Sequence, residues 1–447
     1  MSFPRYPNYK ASGVMWLGEV PEHWGIAPLK AVTSHNDEVL AEDTPPDYEI
    51  AYVDISGVET NAGITTKETM PFAAAPSRAR RRVRHGDVIV STVRTYLRAI
   101  ARIVHPEDNL IASTGFAVIR PRSTLSAEFV GYMLSANYFI EQVIARSTGV
   151  SYPAINASEL VAIPALLPPL PEQSAIAAFL DRETAKIDAL IAEQQRLIEL
   201  LQEKRQTVIS HAVTKGLNPD APMKDSGIEW LGEVPEHWRV MRLAHCGRLQ
   251  NGLSIGGEAF GTGDPFVSYG DVYNNANVPE VPSGLVQSTV ADQEKCGIEF
   301  GDVLFTRTSE AVDDIGIAST CLRTIPHATF AGFLIRFRPH EGTLDPSYST
   351  YLFRNQGVKE HFAGTMNIVT RASLSQGELK SLPICLPPLA EQRDIAEEID
   401  TKTEQVRCLI DRTARAITLL QERRSALISA AVTGQIDVRG LTGSEAA

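Results

Sequence analysis

The stretch KASGVMWLGEVPEHW at residues 10–24 returns almost unchanged as KDSGIEWLGEVPEHW at residues 224–238, an offset of 214 positions. Two later blocks also occur twice, both with an offset of 219. LPPLPEQ at 167–173 returns as LPPLAEQ at 386–392, and LLQEKRQTVISHAVT at 200–214 returns as LLQERRSALISAAVT at 419–433. The blocks keep their order in each half. Such self-similarity predicts two tandem copies of one structural plan, related by an internal pseudo-twofold repeat.

The bulk composition is that of an ordinary globular protein. With 447 residues, 43% hydrophobic and 21% charged, the chain should hold more than one domain. It shows no charged-then-apolar leader and no apolar run of bilayer-spanning length, so we expect a cytoplasmic protein with no membrane partner. The five cysteines all lie in the second half and form no C-x-x-C pair, which predicts reduced thiols and no metal site.

Long amphipathic helices are predicted after both LPPL blocks. Each run is free of Gly and Pro, is rich in Glu, Gln, Leu, Ala, Lys and Arg, and spans roughly 40 residues, or about 60 Å at 1.5 Å per residue. The matched apolar stripes favour pairing of the two helices as an antiparallel coiled coil. Two independent helices, each packed on its own half, are the alternative. The residues predicted to pair are Ile187, Leu190, Leu197, Leu201, Val208, Val406, Leu409, Leu420 and Leu427.

The segments between the repeated blocks have the texture of α+β domains. Short β-like runs such as VIVST (88–92) and FLIRFRP (333–339) alternate with helical patches such as 126–145, separated by Gly, Pro, Asn and Asp. We therefore predict a first globular domain at 1–170, a central helix at 171–216, a second globular domain at 217–386, and a C-terminal helix with a tail at 387–447.

Catalytic signatures are missing from the sequence. It contains no G-x-x-x-x-G-K-[ST] loop, no H-E-x-x-H, and no N-P-P-[YF] or D-P-P-[YF] tetrapeptide. Residues 252–256 fit the G-x-S-x-G pattern of a hydrolase, but poor helix formers follow, so a glycine-rich turn is the better interpretation. His23 and His237 lack a second ligand at metal spacing. We predict no catalytic residue, no metal and no cofactor in this chain.

Basic residues cluster in the first half despite a net charge of −12. Residues 1–170 carry 15 Lys+Arg against 17 Asp+Glu, whereas residues 218–386 carry 13 against 20. Arginine forks can bind phosphates and guanine edges, and hydroxyls add hydrogen bonds. A solvated charged loop is the alternative. The candidate DNA-contacting residues of the first half are Arg78, Arg80, Arg81, Arg82, Arg84, Ser91, Thr92, Arg94, Tyr96, Arg98, Ser151, Tyr152 and Asn156. Those of the second half are Arg307, Thr308, Ser309, Thr370 and Arg371.

The chain resembles the DNA-specificity subunits of Type I restriction–modification systems over essentially its whole length. The resemblance rests on WLGEVPEHW at 16–24 and 230–238, on the LPPL-x-EQ blocks, and on the long helices that follow them. It implies that each variable segment is a target recognition domain for one half of a split, asymmetric site on double-stranded DNA. It also implies that the paired helices set the spacer between the half-sites.

The same resemblance implies the partners and their cofactors. Two modification (methyltransferase) subunits would dock on the paired helices and bind S-adenosylmethionine, and restriction (motor-nuclease) subunits would add cleavage with ATP and Mg²⁺. This chain would itself be non-catalytic. Two other functions stay open at the level of sequence: a self-sufficient DNA methyltransferase or endonuclease, and a coiled-coil assembly scaffold without DNA contact.

Overall fold

A computed structural model of the chain describes residues 3–59, 62–309, 315–365 and 372–441. It forms two compact units: unit 1 combines residues 1–195 with 415–447, and unit 2 comprises residues 196–414. The two long helices, Leu170–Lys215 and Leu389–Val432, each cross a boundary between these units. The four consecutive segments predicted from the sequence stay a prediction.

The N-terminal part of unit 1 begins with a hairpin and runs into the first long helix, and the end of the second long helix completes the unit. Its strands are β1 (Tyr9–Ala11), β2 (Glu19–Pro21), β3 (Gly25–Pro28), β4 (Thr33–His35), β5 (Glu49–Val53), β6 (Val58–Glu59), β7 (Gly63–Ile64), β8 (Glu68–Pro71), β9 (Ala79–Arg82), β10 (Val88–Ser91), β11 (Ile100–Arg102), β12 (Leu110–Ser113), β13 (Phe116–Pro121) and β14 (Pro164–Leu167). Its helices are α1 (Leu29–Val32), α2 (Ala127–Ser135), α3 (Asn137–Arg146), α4 (Ala157–Leu160) and the start of α5 (Leu170–Lys215).

Unit 2 starts with a matching hairpin and ends with a matching short strand before its long helix, but two additional helices interrupt its middle strands. Its strands are β15 (Met223–Asp225), β16 (Glu233–Pro235), β17 (Arg239–Arg242), β18 (Gly247–Asn251), β19 (Phe260–Val267), β20 (Gly284–Val286), β21 (Val303–Thr306), β22 (Thr308–Ser309), β23 (Ala318–Thr320), β24 (Thr329–Phe330), β25 (Leu334–Pro339), β26 (Ala372–Ser373) and β27 (Pro383–Leu386). Its helices are α6 (Tyr269–Asn274), α7 (Val290–Cys296), α8 (Pro346–Leu352), α9 (Gln356–Thr365), α10 (Gln376–Ser381) and the start of α11 (Leu389–Val432).

The two units share one sheet framework. An antiparallel sheet of order β11-β10-β13-β4 in unit 1 corresponds to β23-β21-β25-β18 in unit 2. A second sheet holds a parallel pair in each unit, β5 with β12 and β19 with β24. This sheet has four strands in unit 1, with β9 at one edge, and three described strands in unit 2. The predicted mixture of helices and strands and the repeated plan are confirmed.

The repeated sequence blocks bind one another. Glu172, at the start of α5, accepts hydrogen bonds from Trp24 Nε1 (3.0 Å) and the Tyr6 hydroxyl, and its second oxygen contacts His23 Nε2 at 2.8 Å. In unit 2, Glu391 accepts from Trp238 Nε1 at 3.0 Å and contacts His237 Nε2 at 2.7 Å. In each unit the His and Trp of the PEHW motif therefore hold the Glu carboxylate of the EQ motif. We call this set of contacts the carboxylate clamp.

The glutamine of each EQ motif closes the loop before its helix. Gln173 Nε2 donates to the carbonyls of Pro168 (2.8 Å) and Thr124 (3.0 Å), and its Oε1 accepts from Ser126 N at 2.8 Å. Gln392 makes the matching three bonds in unit 2. Because both glutamines are buried, these bonds satisfy polar groups that water cannot reach.

The buried stripes of the two long helices match position for position at the offset of 219. Alternating three- and four-residue steps describe a heptad seam. The seam residues, buried or half-buried, are Thr184, Ile187, Ile191, Gln194, Ile198 and Leu201 on α5 and Thr403, Val406, Ile410, Thr413, Ile417 and Leu420 on α11. Of the nine predicted pairing residues, Ile187, Leu201, Val406 and Leu420 lie in this seam, and the half-buried Val208 and Leu427 follow it.

Three predicted pairing residues are corrected. Leu190, Leu197 and Leu409 are 49%, 41% and 47% exposed and lie on the outer flank of their helices. The apolar stripe is wider than the seam, and the sequence does not distinguish its two edges. Among the described helices, none has both the length and the hydropathy needed to cross a bilayer.

Within each unit the start of one long helix shares a core with the end of the other. In unit 1, Phe179 and Leu180 of α5 belong to the same buried cluster as Ile428 and Val432 of α11. In unit 2, Ile209 and Val213 of α5 cluster with Ile395 and Ile399 of α11. Arg424, a residue that is 9% exposed, also binds the Asp188 carboxylate in unit 1, with Nε 2.8 Å from Oδ1.

Candidate nucleic-acid interface

Four loops of unit 1 meet at one edge and are joined by their backbones. The loops precede β9, follow β10, connect β12 to β13, and precede α4. The hydrogen bonds that join them are Thr114 N to Arg78 O (2.8 Å), Thr92 N to Gly115 O (2.8 Å), Ile155 N to Thr92 O (2.9 Å) and Thr95 N to Pro153 O (3.4 Å). The edge thus brings together Arg78, Thr92, Arg94, Tyr96 and Tyr152, which are distant in sequence.

A tight turn after β10 projects from this edge. Arg94 (φ 52°, ψ 48°) and Arg98 (φ 54°, ψ 32°) both adopt the left-handed conformation and flank a single 3₁₀ turn. Residues with a Cβ rarely adopt this backbone conformation, so the turn is strained. The Arg94 guanidinium lies over the Tyr152 ring at 4.9 Å, which connects the turn to the loop before α4.

The arginine cluster does not form a single free patch. Arg78 donates from Nε to the Tyr52 hydroxyl at 3.0 Å and lies 3.7 Å from an Asp54 oxygen. Arg80 stacks over Phe72 at 4.9 Å, while burial lowers the pKa of Arg81. Arg82 is exposed at the end of the edge strand β9, where a phosphate could approach it.

Arg84 is exposed, and its guanidinium takes part in a network of charges. It binds Glu38, which also accepts from Arg120 Nη1 at 2.7 Å. Arg120 forms a two-point contact with the buried Asp87, with both distances at 2.8 Å, and these hydrogen bonds raise the pKa of Arg120. Unit 2 repeats this contact between Arg338 and Asp302. The repetition indicates that the network supports the sheet framework common to both units.

Two candidate DNA-contacting residues of the first half, Ser91 and Asn156, have structural roles. Ser91 is 3% exposed and its hydroxyl donates to the Val93 carbonyl, so it is corrected from a DNA contact to a turn-forming residue. Asn156 is exposed but serves as the N-cap of α4. Thr92 donates to the Gly115 carbonyl at 2.9 Å, and Ser151 is exposed beside Tyr152.

The edge of unit 2 has the same backbone pattern with other side chains. Arg307 N donates to Phe333 O at 2.9 Å, and Arg307 O accepts from Leu374 N at 2.7 Å, as Thr92 does from Ile155 in unit 1. Thr308 and Ser309 form β22, which pairs with β26. Thr370 and Arg371 lie outside the described residues.

Several residues of the unit 1 edge were not predicted from the sequence. Tyr52 of β5 and Asp54 just after β5 hold Arg78, and Leu97 is exposed beside Tyr96. In the sequence, the segment that holds Tyr52 and Asp54 is marked only by a partial match between YVDISGV at 52–58 and FVSYGDV at 266–272. The fold had to bring β5 next to the loop before β9 for this contact to exist.

Enzyme-like motifs have structural roles in the described chain. Gly252 of the G-x-S-x-G string packs so tightly on a neighbouring loop that an added Cβ would lie 2.1 Å from the Ala331 carbonyl oxygen. A short 3₁₀ turn at Gly257–Ala259 follows, rather than the helix of a nucleophile elbow. In the described ranges no group of three or more His, Cys, Asp or Glu side chains could hold a metal ion.

Comparisons with known proteins agree with one another. The family model described as the Type I restriction modification DNA specificity domain matches residues 80–201 and 235–409. The Type I restriction enzyme EcoKI specificity subunit of Escherichia coli K12 is 21% identical over 94% of this chain and 91% of its own length. The putative type I restriction enzyme MjaX specificity subunit of Methanocaldococcus jannaschii is 23% identical over 98% and 99%.

Two solved structures have a similar fold. A chain from a study of complex assembly and conformational transition of the type I R-M system superposes with a TM-score of 0.71 at 24% identity, covering 92% of this chain and 98% of that one. The HsdS subunit from Thermoanaerobacter tengcongensis gives 0.53 at 25% identity, with coverage of 93% and 98%.

Proposed function

Because this chain belongs to the Type I restriction–modification DNA specificity family, we propose that it recognises a split, asymmetric site on double-stranded DNA, one half-site per unit. One observation carries the proposal. The two units present loops at the same backbone position of the same framework, yet the loops carry different side chains: Thr92 and Arg94 in unit 1, Arg307 and Thr308 in unit 2. A shared backbone framework that carries different polar side chains in each unit suits the recognition of two different base sequences.

Exchanging one recognition segment tests this proposal. Residues 25–165 would be replaced by the matching segment of another family member, and methylated adenines would be mapped in cells that supply the modification subunits. One half of the methylated sequence should change while the other half stays. A change in both halves would contradict the assignment of one half-site to each unit.

We further propose that α5 and α11 pair as an antiparallel coiled coil that sets the spacer between the half-sites. The shared cores within each unit and the matched heptad seams support this pairing. Inserting four residues into both helices should change the permitted spacer without changing either half-sequence. An unchanged spacer would contradict the proposal that the paired helices set the distance between the half-sites.

The outer flanks of the helices are the proposed docking surface for two modification subunits. Leu190, Leu197 and Leu409 are exposed there, and exposed apolar residues along a helix are typical of interaction surfaces. S-adenosylmethionine, ATP and Mg²⁺ would be bound by the modification and restriction subunits. A methylation assay on the purified chain alone separates this proposal from a self-sufficient methyltransferase, because the chain alone should transfer no methyl group. Loss of DNA binding with rising salt separates it from a scaffold that never contacts DNA.

A further inference from the structure

The turn after β10 carries two large exposed side chains, Tyr96 and Leu97, which hydrogen bonding to base edges does not by itself explain. Tyr96 is 52% exposed and Leu97 is 46% exposed, and they stand between Arg94 and Arg98. Hydrogen-bonding contacts to base edges use polar groups, whereas apolar side chains at a DNA-facing loop fit between bases or against a thymine methyl.

The same turn is held rigidly at its base. Thr95 is 3% exposed, and its hydroxyl hydrogen-bonds to the Ser147 hydroxyl at 2.8 Å. Its backbone N–H donates to Pro153 O, and Leu97 N closes the turn on Arg94 O at 2.9 Å. The exposed side chains of Tyr96 and Leu97 therefore stand on an anchored support.

Resting on the proposed DNA recognition, we propose that Tyr96 and Leu97 form a wedge that enters between two base pairs of the first half-site. Separating stacked bases is costly, so a wedge has to be rigid before it meets DNA. The two strained left-handed arginines and the anchored Thr95 supply that rigidity. Arg94 and Arg98 flank the wedge along the chain, and the Arg94 guanidinium, which lies over the Tyr152 ring, would bind a phosphate beside the opened step.

The wedge would add specificity through deformability. Pyrimidine–purine steps unstack more easily than A-tract steps. The native chain should therefore bind a half-site with a flexible step at the wedge position roughly tenfold more tightly than one with a stiff step. Replacing Leu97 by Ala should remove most of this preference.

The experiment uses the full chain without modification subunits, so that no methyltransferase can rotate a base out of the helix. Duplexes carry 2-aminopurine at successive positions of the first half-site, and its fluorescence rises when stacking is lost. The native chain should raise the signal at one step. Leu97→Ala and Tyr96→Ala should abolish the rise, whereas Val104→Ala, which truncates another exposed apolar residue of unit 1, should keep it.

The outcomes separate the two proposals. Absence of any DNA binding by the native chain would contradict the recognition function itself. Binding with no rise at any position would overturn the wedge alone. A variant effect confined to thymine preference would also overturn it, because Leu97 would then contact a methyl group without unstacking. Circular dichroism checks that each variant folds, and Leu97→Lys is a second variant that retains side-chain length.

Discussion

Removing the carboxylate clamp of unit 1 should destabilise that unit by more than the matching change destabilises unit 2. Glu172 is 6% exposed and accepts hydrogen bonds from Trp24 and Tyr6, which are 0% and 4% exposed. In Glu172→Ala both donors stay buried without an acceptor. At about 1–3 kcal/mol for each stranded donor, the expected loss of unfolding free energy is about 4 kcal/mol.

The matching variant Glu391→Ala is a control within the same molecule. Its carboxylate side chain is 29% exposed and binds a single buried donor, the indole of Trp238, since His237 is 51% exposed. One stranded donor gives a loss of about 2 kcal/mol. Both glutamates lie in the first turn of a helix, so the lost interaction with the helix dipole is common to both variants and cancels in the comparison.

Hydrogen exchange followed by mass spectrometry reports the local free energy of opening in each unit. Glu172→Ala should lower protection in β10 and β13, and Glu391→Ala should lower it about half as much in β21 and β25. Glu193→Ala, an exposed position on α5, should change neither by more than about 0.5 kcal/mol. Equal losses in the two units, or a loss below about 1 kcal/mol in unit 1, would refute the reasoning from buried donors.

Three further predictions concern pH, thiols and the helix flank. Burial raises the pKa of Tyr132 from 10.0 to about 12. The contribution of Tyr132 to the free energy of unfolding is therefore complete below pH 10 and is lost as the pH rises towards 12. Urea unfolding at a series of pH values should show a smaller fall of this free energy in Tyr132→Phe. A thiol reagent should label Cys408 alone in the native chain, because the other four cysteines are buried, and mass spectrometry would expose any second label. Leu190→Gln should keep the thermal midpoint but weaken capture of modification subunits, whereas Ile187→Ala, at a position 5% exposed, should cost about 2–5 kcal/mol. Equal effects of these two variants on stability would contradict the assignment of seam and flank.

Local patterns predicted the parts of the fold whose cause is local. A helix forms from contacts three and four residues apart, so the runs after LPPL predicted α5 and α11 before any packing was known. The β-like runs VIVST (88–92) and FLIRFRP (333–339) are likewise local patterns, and they appear as β10 and β25. The prediction of the pairing residues was wrong only in the width of the apolar stripe. Leu190 and Ile187 are three positions apart, so either side chain could face the other helix.

The candidate interface depended on contacts that no local pattern contains. Arg78 and Arg84 belong to one cluster in the sequence, but Arg78 is held by Tyr52 and Arg84 by Glu38. The left-handed backbone of Arg94 and Arg98 could not be foreseen, since that conformation is disfavoured for every residue with a Cβ. Such a conformation persists only because the surrounding loops impose it.

By itself the sequence determined the duplicated plan, the long helices and the absence of familiar catalytic motifs, because repetition and short-range spacing are written directly in the residue order. Only the tertiary structure decided what the repeated blocks are for. Trp24 and Glu172 are 148 positions apart, and their contact exists because the sheet closes that loop and excludes water from both partners. The separation of buried from exposed leucines on the helices has the same origin, since burial is a property of packing rather than of the residue.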